Sequence, residues 1–387
     1  MMQNPPHIFY LVHDLSDTAV ARRIRILLAG GAAVTVAVAG FRRTEAPVAD
    51  VEGCPAIDLG RTYNGGFIQR IASVLRETAL IQRHKKNFEK ADIIIARNLE
   101  MLAVAVRGRS LCAKPPVLVY ESLDIHRLLL NQGAVGRMMR WLEGWLSRRA
   151  SALITSSPAF VKSYFEPLSQ IRLPVIMAEN KVYDPAFAAT ADLNLPRAPG
   201  PVWRIGWYGI IRCRKSFDML TRLVRDSGGT IAVVIRGRPA LDQIPDFHAV
   251  VNATPGLFYD GPYKNPDDLH ALYRDVHFTW AIDMFEEGQN SSWLLPNRLY
   301  EGGLYNTVPL ARATVETGRF LVERGIGVTL ADPLPESLGL FFRDLDAISY
   351  QRLEKAAMEI PHSQWLLRDE DSLALIGALK ALQPARI

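Results

Sequence analysis

The run HIFYLVHDLSDTAVARRIRILLAGGAAVTVAVAG, from His7 to Gly40, sets the architecture. Its first part, His7 to Val12, is almost wholly apolar, as a strand of a parallel sheet covered on both faces must be. From Thr18 to Ala29 the apolar residues recur at helical spacing, and Gly30-Gly31 stops that helix as C-terminal glycines do. Ala33 to Ala39 then resumes an apolar run ending at Gly40. The order is strand, helix, strand, the repeating unit of a doubly wound α/β sheet.

Downstream, Ile93 to Ala96, Val117 to Tyr120 and Ala152 to Thr155 predict further buried strands of a first Rossmann-like domain, residues 1–175. Pro174, Pro185, Pro196, Pro199 and Pro201 break any regular element, which places a Pro-rich linker at 176–200. The alternation then restarts. Trp203 to Tyr208 and Ile231 to Ile235 read as strands around a helix from about Lys215 to Asp226. Leu257 to Tyr259, His277 to Ile282, Val308 to Ala311 and Val328 to Leu330 follow as strands. This is a second Rossmann-like domain, 201–362, and Ser363 to Leu382 reads as a terminal helix within 363–387. Two such domains joined by a hinge are expected to face each other across a cleft with the carboxyl ends of their strands, where open α/β sheets take ligands.

The 387 residues are 49% hydrophobic and 22% charged, which leaves little room for long disordered or fibrous stretches. A net charge of +5 is too dilute to argue nucleic-acid binding. Of 45 basic residues 35 are arginine, whose planar fork suits phosphate, although a genome rich in Arg codons gives the same count. Cys54, Cys112 and Cys213 are far apart and in no metal-ligand spacing, so they read as packing residues of a reducing compartment. No secretory signal is visible, and the longest apolar stretch, Ile26 to Ala39, is 14 residues interrupted by glycine, short of the ~20 that span a bilayer. A cytoplasmic protein is expected, with any membrane contact peripheral on the inner face.

Two segments carry recognisable chemistry. GWYGIIRCRKSFDML, Gly206 to Leu220, is a strand, a glycine turn at Gly209, then cations at the opening of a helix. Glycine admits a close backbone approach to a diphosphate, the helix start offers unpaired N–H groups, and Arg212 and Lys215 neutralise charge. It is neither a P-loop nor a dinucleotide fingerprint, and an exposed basic loop would have the same composition. NSSWLLPNRLYEGG, Asn290 to Gly303, sets a polar loop before a proline-started helix, with Glu301 placed to accept from two vicinal hydroxyls. The bland alternatives are turn residues and a solvated helix charge.

Together the two segments resemble the C-terminal half of family 4-like glycosyltransferases of the GT-B fold. In that family a G-x-x-R-x-x-K loop holds a nucleoside diphosphate, and an N-K-x-x-E segment before an apolar strand holds the ribose. Arg212, Lys215, Asn297, Arg298 and Glu301 stand at those positions, ahead of Val308-Pro309-Leu310. Asp14 to Gly40 looks like the family's first strand–helix–strand unit. Val119 to His126 resembles its Y-D-x-H-D/E strand end, and Ser151 to Ser157 its last N-domain strand. The wording is most similar to bacterial exopolysaccharide enzymes of the succinoglycan-biosynthesis type. The resemblance implies a nucleotide-sugar donor, UDP-type favoured, as co-substrate and no cofactor, no metal, and retention of configuration. It also implies a glycan or lipid-linked saccharide acceptor.

On this reading Gly209, Arg212, Lys215, Asn290, Ser291, Ser292, Asn297, Arg298 and Glu301 bind the donor. The catalytic candidates are Arg212 and Lys215, with Asp14, Asp124 and His126 beside them. His13, Asp17, Asn98, Arg83, Lys85 and Lys86 are the acceptor candidates; Asp14 or Ser16 also suits a helix cap. The sequence departs from the family in two places. Trp293 stands where a glutamate is usual, which passes donor-sugar contacts to Glu286, Glu287 or Asn290. Leu123 replaces a histidine, with His126 three residues on. One basic zone runs through Arg61, Arg70, Arg76, Arg83, Lys85, Lys86 and Lys90. Another, Gly136 to Arg149, adds Trp141 and Trp145, so an anionic membrane surface is a candidate partner and a Trp-lined core helix the alternative. A doubled Rossmann enzyme using NAD and a non-catalytic scaffold of a polysaccharide complex are the other readings; the first lacks its glycine fingerprint.

Overall fold

The computed structural model describes residues 5–62, 67–187, 196–200 and 202–385, with backbone alone for 67–72. Pro201, residues 188–195 of the expected linker, and the Arg70 side chain lie outside this set.

The chain forms two compact units, Met1–Glu179 with Arg368–Ile387, and Asn180–Leu367. In the first, the strands are β1 (His7–Val12), β2 (Thr35–Arg42), β3 (Asp50–Val51), β4 (Cys54–Arg61), β5 (Ile93–Arg97), β6 (Val117–Glu121), β7 (Ala152–Thr155) and β8 (Val175–Met177). Their order is β3-β4-β2-β1-β5-β6-β7-β8, parallel apart from the β3–β4 pair. The helices are α1 (Thr18–Leu28), α2 (Phe67–Leu80), α3 (Lys85–Lys90), α4 (Asn98–Arg109), α5 (Arg127–Leu130), α6 (Ala134–Ser147) and α7 (Pro158–Phe160), the last continued by a wide helical turn over Val161–Ser169.

The second unit has β9 (Val182–Tyr183), β10 (Trp203–Ile211), β11 (Ile231–Pro239), β12 (Leu257–Tyr259), β13 (Phe278–Trp280), β14 (Val308–Arg312), β15 (Val328–Leu330) and β16 (Leu366–Leu367). Six of these make a parallel sheet, β12-β11-β10-β13-β14-β15, and β9 pairs with β16. Its helices are α8 (Arg214–Asp226), α9 (Phe247–Ala253), α10 (Leu269–Arg274), α11 (Asn290–Trp293), α12 (Asn297–Leu304), α13 (Glu316–Arg324), α14 (Leu334–Asp344) and α15 (Ala347–Met358). Finally α16 (Asp369–Ala381) returns to the first unit.

Burial explains the apolar runs. Ile8, Tyr10 and Val12 of β1 pack with Val20, Ile24 and Leu27 of α1 and with Ile376 and Leu379 of α16. Each such side chain withdraws enough surface to be worth about 1.5–3 kcal/mol, which anchors α16 to this core. In the second unit Val233 and Ile235 face one core and Val234 the other, so the sheet is covered on both sides.

Three expectations need correction. The terminal helix begins at Asp369, not Ser363, because Leu366–Leu367 pairs with β9 first. The 176–200 stretch is not free of regular structure: β8 runs to Met177 and β9 falls at Val182–Tyr183. Gly209 lies inside β10, which continues to Ile211, rather than in a turn. The antiparallel β3–β4 pair was unforeseen because Cys54–Arg61 mixes Pro55, Asp58 and Gly60 with its apolar residues.

Candidate active site

In the second unit the strand order reverses between β10 and β13, which makes this the topological switch point where such sheets accept ligands. Gly209 and Gly237 are register partners here, with φ of +118° and +130°. A Cβ on Gly237 would stand 1.8 Å from the Gly209 carbonyl oxygen, so only glycine permits this backbone approach. Beyond β10 the chain turns into α8. Cys213 caps it, its Sγ accepting from the Ser216 N–H at 3.4 Å. Arg212 is exposed, with its guanidinium 4.4 Å from the centre of the Phe285 ring.

Lys215 is held by Glu287, which also binds Arg312 at the end of β14. Arg312 in turn reaches Asp332 at 3.0 Å. The hydrogen bonds from Lys215 and Arg312 keep the Glu287 carboxyl below its usual range. The result is a cationic rim on two segments, after β10 and on β14, whose counter-charge is a carboxylate of the loop after β13. Arg214 is turned elsewhere, onto Asp218 and Asp246.

The polar loop after β13 is largely self-supporting. Ser291 Oγ donates to Asp283 at 2.5 Å and accepts from the Glu286 N–H, Asn290 Nδ2 donates to Glu286 at 2.6 Å, and Ser292 Oγ accepts from the Gly288 N–H. These three residues, expected as donor ligands, build the loop that presents Glu286 and Glu287. Arg298 is similarly occupied, donating to the Trp280 and Ile282 carbonyls at 2.6 and 2.8 Å with Asp283 at 3.6 Å. Burial alone would raise Asp283, but Arg298, Ser291 and the Phe285 N–H outweigh it and hold it ionised. Asn297 is exposed at the first turn of α12. Glu301 is only 3% exposed and accepts from Asn265 Nδ2 at 2.7 Å and Tyr273 Oη at 2.9 Å. It is not a solvated charge, and its carboxylate oxygens have further lone pairs. Trp293 is half-buried on α11.

The first unit has its own switch point, between β1 and β5. His13 follows β1, with Nε2 3.6 Å from Asp17, while its buried Nδ1 has no hydrogen-bond partner. Burial, followed by Arg97, pushes this histidine down to about 4, so it is neutral near neutral pH. Asp17, not Asp14 or Ser16, caps α1, accepting from the Ala19 N–H at 2.9 Å. Asp14 is buried and accepts from the Ser16 N–H and Oγ, with Arg43 at 3.3 Å, so it also braces the turn before α1. Asn98 opens α4 in left-handed backbone, φ +69°, at the end of β5.

Beneath this rim sits a network that the sequence reading missed. Glu121, fully buried at the end of β6, accepts from Arg23 Nε at 2.8 Å and from Tyr10 Oη, with Arg97 at 3.5 Å. Burial pushes its carboxyl up, yet Arg23 and Arg97 bring it below the usual value. The available signal was a charge closing an otherwise apolar strand, as in Ile93–Arg97 and Val117–Glu121.

The remaining candidates divide between the carboxyl end of β6 and the segment before β5. Asp124 is exposed beyond β6, and His126 caps α5, its Nδ1 accepting from the Leu128 N–H at 3.3 Å. Arg83 pairs with Glu77 at 2.5 Å and Lys85 with Glu89 at 3.5 Å. With Lys86, they lie on the segment that runs into the amino edge of β5, fixed by Phe88 packing edge-on against Phe9. That is away from the strand ends where the other candidates gather. The three cysteines are buried and unpaired by disulfides. Among the described residues, no helix is long and apolar enough to cross a membrane.

Comparison with known proteins agrees with this arrangement. Residues 16–169 match the glycosyl transferase 4-like domain. Over 378 residues the chain is 45% identical to succinoglycan biosynthesis protein ExoL of Rhizobium meliloti (strain 1021), covering 97% of this chain and 93% of that protein. In structure it is similar to sucrose-phosphate synthase from Thermosynechococcus elongatus, at TM-score 0.69 and 13% identity, covering 97% and 98% of the two chains. It is also similar to Anabaena HepE in complex with UDP and glucose, at TM-score 0.66 and 15% identity, covering 97% and 100%. The matching domain, and a relative this similar over nearly its whole length, place the chain in the family 4-like glycosyltransferases, and its two largely parallel α/β sheets match the GT-B fold of its structural neighbours.

Proposed function

We propose that this glycosyltransferase moves a sugar from a nucleoside diphosphate donor, of the UDP type, to a glycan or lipid-linked saccharide in the assembly of a succinoglycan-type exopolysaccharide. The observation that carries the reading is the cationic rim at the β10–β13 switch point, where Arg212 and Lys215 stand at the opening of α8 and Arg312 beside them. A diphosphate bound there meets helix N–H groups and two to three cations, and it takes over from Glu287 as their counter-charge. As the bond to the sugar breaks, negative charge grows on the leaving diphosphate, and fixed cations stabilise that growth more than the ground state. Glu301, oriented by Asn265 and Tyr273, accepts from the ribose hydroxyls with its further lone pairs.

The donor is a co-substrate, and the reaction uses no cofactor or metal and retains configuration, the donor phosphate taking the acceptor's proton. The likeness to ExoL supports the pathway class, and the HepE complex with UDP and glucose supports a donor of the UDP type. The acceptor meets the first unit at His13, Asp17 and Asn98, on the inner face of the membrane.

The test is transfer from radiolabelled UDP-glucose or UDP-galactose into a lipid extract of a polysaccharide-producing cell, with the product's anomeric configuration read by NMR. Lys215→Ala is expected to lower turnover at saturating donor at least a hundredfold without loss of folding. Full turnover in that variant would move the phosphate site elsewhere, and an inverted product would call for an enzymic base.

A further inference from the structure

Helix α6 presents an apolar stripe to solvent. Val135 is 50% exposed, Met138 60%, Trp141 68% and Trp145 39%, at positions that fall along one side of a helix. The opposite side is fixed by Glu143, which is fully buried and accepts from Tyr120 at 2.6 Å, Tyr164 at 2.5 Å and Ser169. That carboxyl is the only acid between Arg127 and Arg149, so the outer face carries no negative charge. It carries Arg137, Arg148 and Arg149, and Arg149 lies 4.2 Å over the Trp145 ring. Beside the stripe a recess of about 260 Å³ is lined by Trp141, Trp145, Arg140, Arg148, Arg172 and Gly144, among others. Among the described residues, Arg137, Arg148, Arg149 and Arg172 make no ion pair with a carboxylate.

We infer that α6 is the docking face for an anionic bilayer, with the Trp and Met side chains in the headgroup layer and the recess holding a lipid phosphate. The charge selects this occupant. A second copy of the chain would bring arginines against arginines on an isologous contact, whereas an anionic lipid surface supplies the missing counter-charge. Tryptophan with flanking arginine is the pairing that settles at the boundary between headgroups and acyl chains. The inference deepens the acceptor half of the function proposed above and rests on it only for the acceptor's being held at a membrane.

The experiment is co-sedimentation of the full chain with vesicles of phosphatidylcholine alone or with 30% phosphatidylglycerol, followed by tryptophan emission. Binding is expected only to the anionic vesicles, with a blue shift, and weakening as salt rises. Trp141→Ser combined with Met138→Ser should abolish it. Arg148→Gln with Arg149→Gln should weaken it roughly 30-fold, about fivefold for each arginine lost from the surface. All four side chains are on the outer face, and an unchanged thermal shift with UDP in each variant separates loss of docking from loss of the donor site or of the fold. No sedimentation of the parent chain at low salt, equal binding to neutral vesicles, or binding unaffected by the substitutions overturns the inference. A dimer in solution that Trp141→Ser dissolves overturns it in favour of a second copy.

Discussion

At the residue scale, Lys215 and Glu301 show how a candidate site can be legible in its residue types and not in their partners. The spacing of Gly209, Arg212 and Lys215 reads as a phosphate loop, but it contains nothing of Glu287, which lies more than seventy residues away and occupies the lysine. On the proposed function the diphosphate displaces Glu287 from Lys215, so Glu287→Gln is expected to tighten UDP binding by up to roughly fivefold, the worth of an exposed ion pair, as read by calorimetry. Weaker binding would instead make Glu287 a ligand of the donor. His13 offers a second test. Its proton affinity is lowered in the folded protein, so the unfolded chain binds the proton first, and stability present above about pH 6.5 is lost as the pH falls towards about 4. His13→Gln should flatten the melting-temperature profile over that window, removing up to roughly 3 kcal/mol of acid sensitivity. Asn290, Ser291 and Ser292 were legible as a polar loop, whereas their task of bracing it is decided by which carboxylate folds back onto them.

At the scale of elements, the apolar runs gave the interior strands to within a few residues, because a strand buried on both faces has no freedom of composition. The β3–β4 pair at the sheet edge escaped because edge strands tolerate proline, glycine and charge. Helix α6 was ambiguous for a different reason. A stripe of tryptophans and a row of arginines define two faces, and only the buried Glu143, unusual for an acid, says which face is inside. Glu143→Ala leaves Tyr120, Tyr164 and Ser169 without their shared acceptor and is expected to cost about 2–4 kcal/mol in urea unfolding. Burial raises this carboxyl, so the folded protein keeps its proton longer than the unfolded chain. Its contribution is complete at acid pH and declines as the pH rises through the folded-state value. The decline should vanish in Glu143→Gln. A profile identical to the parent's would mean that the group does not titrate on folding.

On the scale of the whole molecule, the two-domain alternation was legible and the return of the chain was not. Nothing in the composition of residues 363–387 says which unit they complete; that is decided by Ile376 and Leu379, which fit the gap beside Gly30 and Leu27. A chain ending at Leu367 should therefore unfold in two steps by calorimetry. The Asn180–Leu367 unit would keep its melting temperature, and the amino-terminal unit would melt earlier. A single unshifted transition would contradict the packing described for α16.

The pairing of β9 with β16 brings the entrance and the exit of the second unit together, the Val182 N–H donating to the Trp365 carbonyl at 2.8 Å. The second unit is thus a loop of nearly two hundred residues stitched shut at its neck, spliced into the first. On the ribosome this inverts the usual schedule. The half that is made first must wait, its core open beside Gly30, until Asp369–Ala381 leaves the exit tunnel, while β16 has already passed to close the half begun later.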